Sequence, residues 1–193
     1  MGRIVGIRIK NYGSLKDVKM GKLLSDKSGK ELASVNAIIG QSGTGKSTLA
    51  DAFGFLADCL EKGVEEACDL NGRGGFEKII SQGSAEPIEF EIYYREKSND
   101  APITYELSIG LDKNSRPIVE KERLRQRRQK ERYGRPMSFL FLEHGKGYAF
   151  KGINSGFLEE ENKEVGDKVD VELVDPRQLG IVTLGELKEH PRI

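Results

Sequence analysis

Two hydrophobic periods alternate along this chain, and their order sets the expected architecture. From Arg3 to Tyr12 the apolar positions Val5, Ile7 and Ile9 alternate with polar ones, the period of a half-buried strand, and a second, weaker strand is expected near Val18. Gly21 to Lys30 combines Gly, Ser and Lys and reads as an exposed hairpin loop. Ser34 to Ile39 is a short, mostly apolar run with Val35, Ile38 and Ile39, the composition of a strand buried on both faces. The period then changes. Leu49, Ala52, Phe53, Leu56 and Leu60 fall at helical spacing and predict one apolar stripe on a helix.

Beyond that helix, Asn71-Gly72 and Gly74-Gly75 mark a loop with short helical pieces, of which Phe76 to Ile80 is the clearest. From Pro87 the two-residue period returns as an antiparallel meander. Ile88, Phe90, Ile92 and Tyr94 share one face of its first strand; Ile103, Tyr105, Leu107 and Ile109 do the same in the second. Pro117 to Leu124 is a third strand, and Ser138 to His144 and Tyr148 to Ile153 are two more, joined by a turn at Gly145-Lys146-Gly147. Phe157 to Asp175 is acidic and reads as an irregular surface excursion, and a last helix is expected to begin near Leu184.

Between the Ser34 strand and the helix lies GQSGTGKST, Gly40 to Thr48. Gly-x-x-x-x-Gly-Lys-Ser after a strand and before a helix is the pattern of a loop that wraps backbone N–H groups around polyphosphate. Gly40, Gly43 and Gly45 supply backbone turns that residues with a Cβ seldom adopt, and the helix adds unpaired first-turn N–H groups and its positive dipole end. The expected nucleotide contacts are therefore Gly40, Ser42, Gly43, Thr44, Gly45, Lys46, Ser47 and Thr48. Lys46 is expected to reach the β- and γ-phosphates, Ser47 to place its hydroxyl on Mg²⁺ and Thr48 to meet the α-phosphate side, so ATP and Mg²⁺ are the implied cofactors.

Composition narrows the rest. Lys plus Arg and Asp plus Glu are equal at 31 each, so no global field draws nucleic acid or an anionic membrane. No run of about 18 apolar residues and no signal-peptide pattern occurs, and a cytoplasmic location is expected. Cys59 and Cys68 are too few for a zinc site and are expected to be free, buried thiols; His144 and His190 stand outside metal-ligand spacing. Lys121 to Arg135 is locally basic and includes Tyr133, which fits either a nucleic-acid patch or, more simply, a solvated strand end and hairpin loop. Arg73 in its glycine-rich stretch is likewise either a phosphate contact or, more simply, part of a solvated turn. An aromatic such as Tyr12 at a strand end is more often packed than stacked on an adenine.

The stretch IRIKNYGSLKDVKM followed by IIGQSGTGKSTLADAFGFL resembles the opening of the SMC/RecF/Rad50-like branch of ABC-type ATPases, including the OLD-like bacterial ATPases. The resemblance is specific over residues 3 to 60. Lys10, Asn11, Tyr12 and Ser14 match the signature at the end of the first strand, which implies that Asn11, Tyr12 and Ser14 border the nucleotide; Gly13 departs, standing where a basic residue is usual. The resemblance implies an α/β fold, a P-loop NTPase lobe with a mixed core sheet around the phosphate-loop helix plus an antiparallel β meander. It also implies a site that becomes catalytic when two heads sandwich nucleotide, hence a homodimer in the full-length protein, and a glutamine that senses Mg²⁺. Gln178 is the preferred position for that glutamine and Gln82 the competing one.

The same resemblance divides a single lobe, residues 1–193, into a phosphate-loop core at 1–86, the meander with its acidic excursion at 87–175 and the start of a helical lobe at 176–193. The other catalytic elements are not found. Leu107 to Gly110 echoes a signature motif inside a strand; Glu143 and Asp175 echo a catalytic acid without its flanking residues. The expected function is an ATP- and Mg²⁺-binding lobe that hydrolyses little alone and relies on a C-terminal lobe as partner. Two alternatives remain: a small P-loop phosphotransferase with Glu143 or Asp175 as base, and a nucleic-acid-binding module that uses Lys121 to Arg135.

Overall fold

The computed structural model describes residues 2–26, 28–97, 101–127, 136–151 and 168–185. Its centre is one antiparallel sheet of eight strands: β1 (Arg3–Tyr12), β2 (Leu15–Gly21), β3 (Ile88–Arg95), β4 (Ile103–Leu111), β5 (Pro117–Arg127), β6 (Pro136–Glu143), β7 (Lys146–Phe150) and β8 (Lys168–Glu172). They lie in the order β2-β1-β3-β4-β5-β6-β7-β8. Between β2 and β3 the chain forms α1 (Lys46–Lys62), α2 (Val64–Asp69) and α3 (Phe76–Ile79), and α4 (Gly180–Gly185) follows β8.

Alternation decides which side of the sheet is wrapped. Ile7 and Ile9 of β1, Phe90 of β3, Leu107 of β4 and Leu140 of β6 join Ala52, Phe55 and Cys59 of α1 in one buried cluster. The Phe55 ring lies 5.3 Å from that of Tyr12 and 6.2 Å from that of Phe90. A register shift between Ile4 and Gly6 breaks the period in β1. Val5 therefore leaves the main cluster and packs with Leu23, Leu24 and Tyr93 in a second, small one. The loop after β2 folds over Val5, whose carbonyl accepts from the Lys22 and Leu32 amides. A Cβ at Gly6 would lie 1.8 Å from the Lys22 carbonyl oxygen, so the crossing requires glycine there. The expected exposed loop at Gly21 to Lys30 is thus partly a lid with its own apolar contacts.

Further expectations need correction. Ser34 to Ile39 is no strand: Val35, Ile38 and Ile39 are 87%, 53% and 93% exposed. A strand buried on both faces needs neighbours on both sides, and this segment pairs with none in the described sheet, which is wholly antiparallel rather than a mixed core. The α1 stripe is shifted in part: Leu49, Ala52 and Leu56 are buried as expected and are joined by Phe55 and Cys59, whereas Phe53 and Leu60 remain 36% and 39% exposed. Lys168–Glu172, inside the expected acidic excursion, pairs with β7 as a strand, and α4 starts at Gly180, ahead of Leu184.

A strap from Leu173 to Ile181 ties the far end of the sheet to the helices. The Leu173 amide donates to Gly145 O, the Val119 amide to Pro176 O and the Val64 amide to Arg177 O. Glu122, fully buried on β5, accepts from Tyr105 Oη at 2.9 Å and from the Gly180 and Ile181 amides at 2.5 and 3.0 Å. Burial raises its carboxyl above the ordinary range, against the pull of those donors. A carboxyl raised in the folded state holds its proton more tightly there than in the unfolded chain, so its ionisation costs stability as pH climbs above about 4.3. Compared with Glu122→Gln, which does not titrate, the wild-type protein should lose stability between about pH 4 and pH 7. Urea unfolding of both proteins across that range checks this; a difference that stays flat with pH contradicts it.

Candidate phosphate-loop site

The loop from Gly40 runs into α1 with Gly43 at φ 81° and Gly45 at φ 88°, left-handed conformations that favour glycine. Lys46 arches back over the loop, its Nζ donating to Gly40 O at 2.8 Å and Gln41 O at 2.6 Å. Thr44 closes the turn by donating to Gln41 O at 2.8 Å. The Leu49 amide, bonded to Gly45 O at 2.9 Å, makes the opening hydrogen bond of α1, so the amides of Lys46, Ser47 and Thr48 precede the helical ladder. No side chain caps this terminus and its first turn holds no acidic residue. An uncapped helix start with a lysine and an exposed serine is an electropositive group of donors, the chemistry a phosphate requires. The donor set fits ATP with Mg²⁺: loop amides and Lys46 for the phosphates, the Ser47 hydroxyl for the ion.

The turn between β1 and β2 is docked against this helix start. Ser14 Oγ donates to Thr48 Oγ1 at 3.1 Å. A Cβ on Gly13, at φ 53°, would come 2.7 Å from Thr48 Cγ2. Close approach to α1 thus explains why Gly13 stands where the resemblance expects a basic residue. Asn11 and Tyr12 are committed elsewhere: Asn11 Nδ2 donates to Pro87 O at 2.9 Å, and Tyr12 is buried with its hydroxyl donating to Asp51 Oδ2 at 2.5 Å. Burial, and then the Asp51 carboxylate, raise the Tyr12 phenol above its usual value and keep it neutral. Of the three residues expected to border the nucleotide, Ser14 is the one that touches the phosphate-loop helix at its start.

Gln178 does not reach the site. It packs at the other end of α1, where a Cβ on Gly63 would lie 2.8 Å from Gln178 Nε2. The 17 residues of α1 separate it from Lys46 by about 25 Å, so Gln178 is no Mg²⁺ ligand in this arrangement. Gln82 is nearer: its neighbour Ser81 bonds Asn11 O through its amide and Gly13 O through its hydroxyl, beside the Ser14–Thr48 contact. Glu143 ends β6, four strand spacings from β1 or about 19 Å, and Asp175 is bound by Arg177 in the strap. Leu107 to Gly110 lies within β4. Both cysteines are free and buried, which pushes the thiols up, Cys68 to about 12. No cluster of three or more metal-ligating side chains occurs among the described residues.

The group that sequence reasoning missed is a buried clamp. Arg73 is neither a phosphate contact nor part of a solvated turn: its side chain is 4% exposed, with Nε 3.1 Å from Asp51 Oδ1 and Nη1 2.5 Å from Asp58 Oδ2. Nη1 also donates to Ala67 O at 3.0 Å, and the guanidinium lies 5.4 Å from the Phe55 ring centre. Asp51 and Asp58 are seven residues apart, two helical turns, so they share one face of α1. That spacing was legible; their partner, 15 residues beyond Asp58, was not. Because both carboxylates keep partial solvent access, Arg73→Met should cost about 2 kcal/mol, below the 3–5 kcal/mol typical when a fully buried pair is broken. Urea denaturation measures this, and a loss under about 0.5 kcal/mol would remove the clamp from the account.

The model of the family described as "AAA domain, putative AbiEii toxin, Type IV TA system" matches residues 35–144. Neither a curated protein nor a solved structure matches the chain. The match takes in more than half of the chain, from Val35 at the approach to the phosphate loop through α1 to the turn after β6, and the chain therefore belongs to this AAA-domain family of P-loop proteins.

Proposed function

We propose that this chain is the ATP- and Mg²⁺-binding lobe of an ABC-type ATPase of the SMC/RecF-like branch. The observation that carries the proposal is the phosphate loop itself: left-handed Gly43 and Gly45, an uncapped α1 start free of acidic residues, and Lys46 held at the mouth of the loop. In this reading Lys46 trades a loop carbonyl for a phosphate oxygen, and the amides of Lys46 and Ser47 receive the anion. Thr48, positioned by Ser14, meets the α-phosphate side. ATP bound with Mg²⁺ supplies the phosphoanhydride whose cleavage would drive any work.

Hydrolysis requires a base that orients water, and neither Glu143 nor Asp175 lies near the loop. In this reading a second lobe completes the site. Exposed Val35, Ile38 and Ile39 before the loop, with Phe53 and Leu60 on the outer side of α1, support a further apolar layer over that side. We assign this layer to the C-terminal lobe of the ATPase, and the completed heads to a nucleotide-dependent homodimer. No helix among the described residues is long and apolar enough to cross a membrane.

Isothermal calorimetry with ATP and Mg²⁺ tests the reading. The 193-residue chain should bind, Lys46→Ala should abolish the heat, and turnover by the chain alone should stay below about 1 s⁻¹. Wild-type binding that survives Lys46→Ala overturns the site, and faster turnover overturns the need for a second lobe.

A further inference from the structure

The helices cover one face of the sheet, and the other face carries a different chemistry. Along β5, Lys121, Arg123 and Arg125 alternate with inward Glu122 and Leu124, so three cations follow one another on the outer face about 6.8 Å apart. They form one side of a concavity of ≈ 280 Å³ that extends over β4, β3 and β1, where Glu89, Glu91 and Glu106 also line it; the aromatic side chains lie on the other side of β5. Register continues this pattern across the sheet: Arg123 stands opposite Phe141 of β6, and Phe141 opposite Tyr148 of β7. The two rings are 5.8 Å apart at 34°. Lys121 Nζ and Arg123 Cζ lie 5.8 and 5.9 Å from the centre of the Phe141 ring, and Lys168 Nζ lies 4.1 Å from that of Tyr148.

We propose that this outer face, over β5 to β7, binds single-stranded nucleic acid, with Phe141 and Tyr148 stacking bases and Lys121, Arg123, Arg125 and Lys168 engaging phosphates. Two half-buried aromatic rings side by side on adjacent strands form a stacking platform for unpaired bases, whose faces a duplex hides. Cations repeating along the neighbouring strand match the step between phosphates of an extended strand. The cation–ring contacts are exchangeable: a base takes the ring and the displaced ammonium or guanidinium takes a phosphate. Carboxylates share the face. Glu106 bonds Arg125, Glu143 stands opposite Lys121 and Asp170 opposite Tyr148. They weaken a purely electrostatic duplex interaction and leave stacking to decide the ligand. The inference does not depend on the nucleotide reading, because the surface lies on the side of the sheet away from α1.

Fluorescence anisotropy with a labelled oligothymidylate and with a duplex of equal length, without ATP or Mg²⁺, tests it. The single strand should bind in the range of about 10⁻⁴ to 10⁻⁶ M, more tightly than the duplex and with a salt dependence. Phe141→Ala with Tyr148→Ala should weaken single-strand binding by about tenfold or more, judged on protein with an unchanged thermal transition. If that pair fails to fold, Lys121→Glu with Lys168→Glu, which keeps both rings, should produce a comparable loss. Lys46→Ala should leave oligonucleotide binding unchanged, which separates this test from that of the phosphate loop. No single-strand binding, duplex binding of equal or greater strength, or affinity unmoved by a folded variant pair would overturn the proposal.

Discussion

The position of the phosphate loop depends on how α1 is gripped by the sheet, and the grip is the contact of Tyr12 and Arg73 with one face of that helix. The loop makes few contacts of its own. Gln41 to Thr44 is exposed, and its internal bonds fix its shape but not its place. Place comes from Asp51, one turn into α1, which accepts from the Tyr12 hydroxyl and pairs with Arg73, and from Phe55 between the two. Tyr12 closes β1, so the helix is indexed to the end of a strand. The same turn then offers Ser14 to Thr48. A shift in this grip would carry the loop and the opening amides of α1 with it.

The antiparallel sheet gives the molecule two unlike surfaces from one alternation. Inward residues form a continuous apolar layer under α1 and α2; outward residues form rows of charge. One row runs through Asp17, Lys10, Glu89, Ser108 and Lys121, with Lys10 bonded to Glu89 at 2.6 Å. Another runs through Arg8, Glu91, Glu106 and Arg123, and in it two carboxylates face each other directly. Burial first, and Glu106 second, raise the Glu91 carboxyl above its ordinary value. Neighbouring Arg8 and Arg125 offset that repulsion. Such rows also protect against unwanted sheet stacking, since an apolar partner would have to desolvate them.

Much of this was readable in the sequence because it is local. The motif with its glycines, the two-residue period of β3 to β7 and the buried, free cysteines each follow from residues within a few positions of one another. What failed was non-local. Whether Val35 to Ile39 becomes a strand depends on neighbours that no local pattern supplies, and Gln178 was placed by analogy although the strap carries it to the C-terminal end of α1. The stripe on α1 was drawn through Phe53 and Leu60 rather than Phe55 and Cys59, a partial shift that only the position of the sheet determines. Arg73 illustrates the same limit, because its sequence context of glycines is that of a turn while its side chain is claimed by two carboxylates two turns apart.

The conformation of Lys46 also bears on how selective the loop can be. An ammonium has three donors; two are held by Gly40 O and Gln41 O at the loop mouth and the third faces Thr44 Oγ1 at 3.5 Å. An incoming anion must therefore displace at least one of these contacts, which a chloride-sized ion does poorly and a polyphosphate with several charged oxygens does well. The remaining contact still anchors the lysine, so its flexible stem need not be ordered again on binding. An arginine would meet the loop differently, because its five N–H donors lie in one plane and engage a phosphate edge-on rather than as a compact point charge. The chemistry of position 46 thus follows from the geometry of Gly40 and Gln41 as much as from the charge of the ligand.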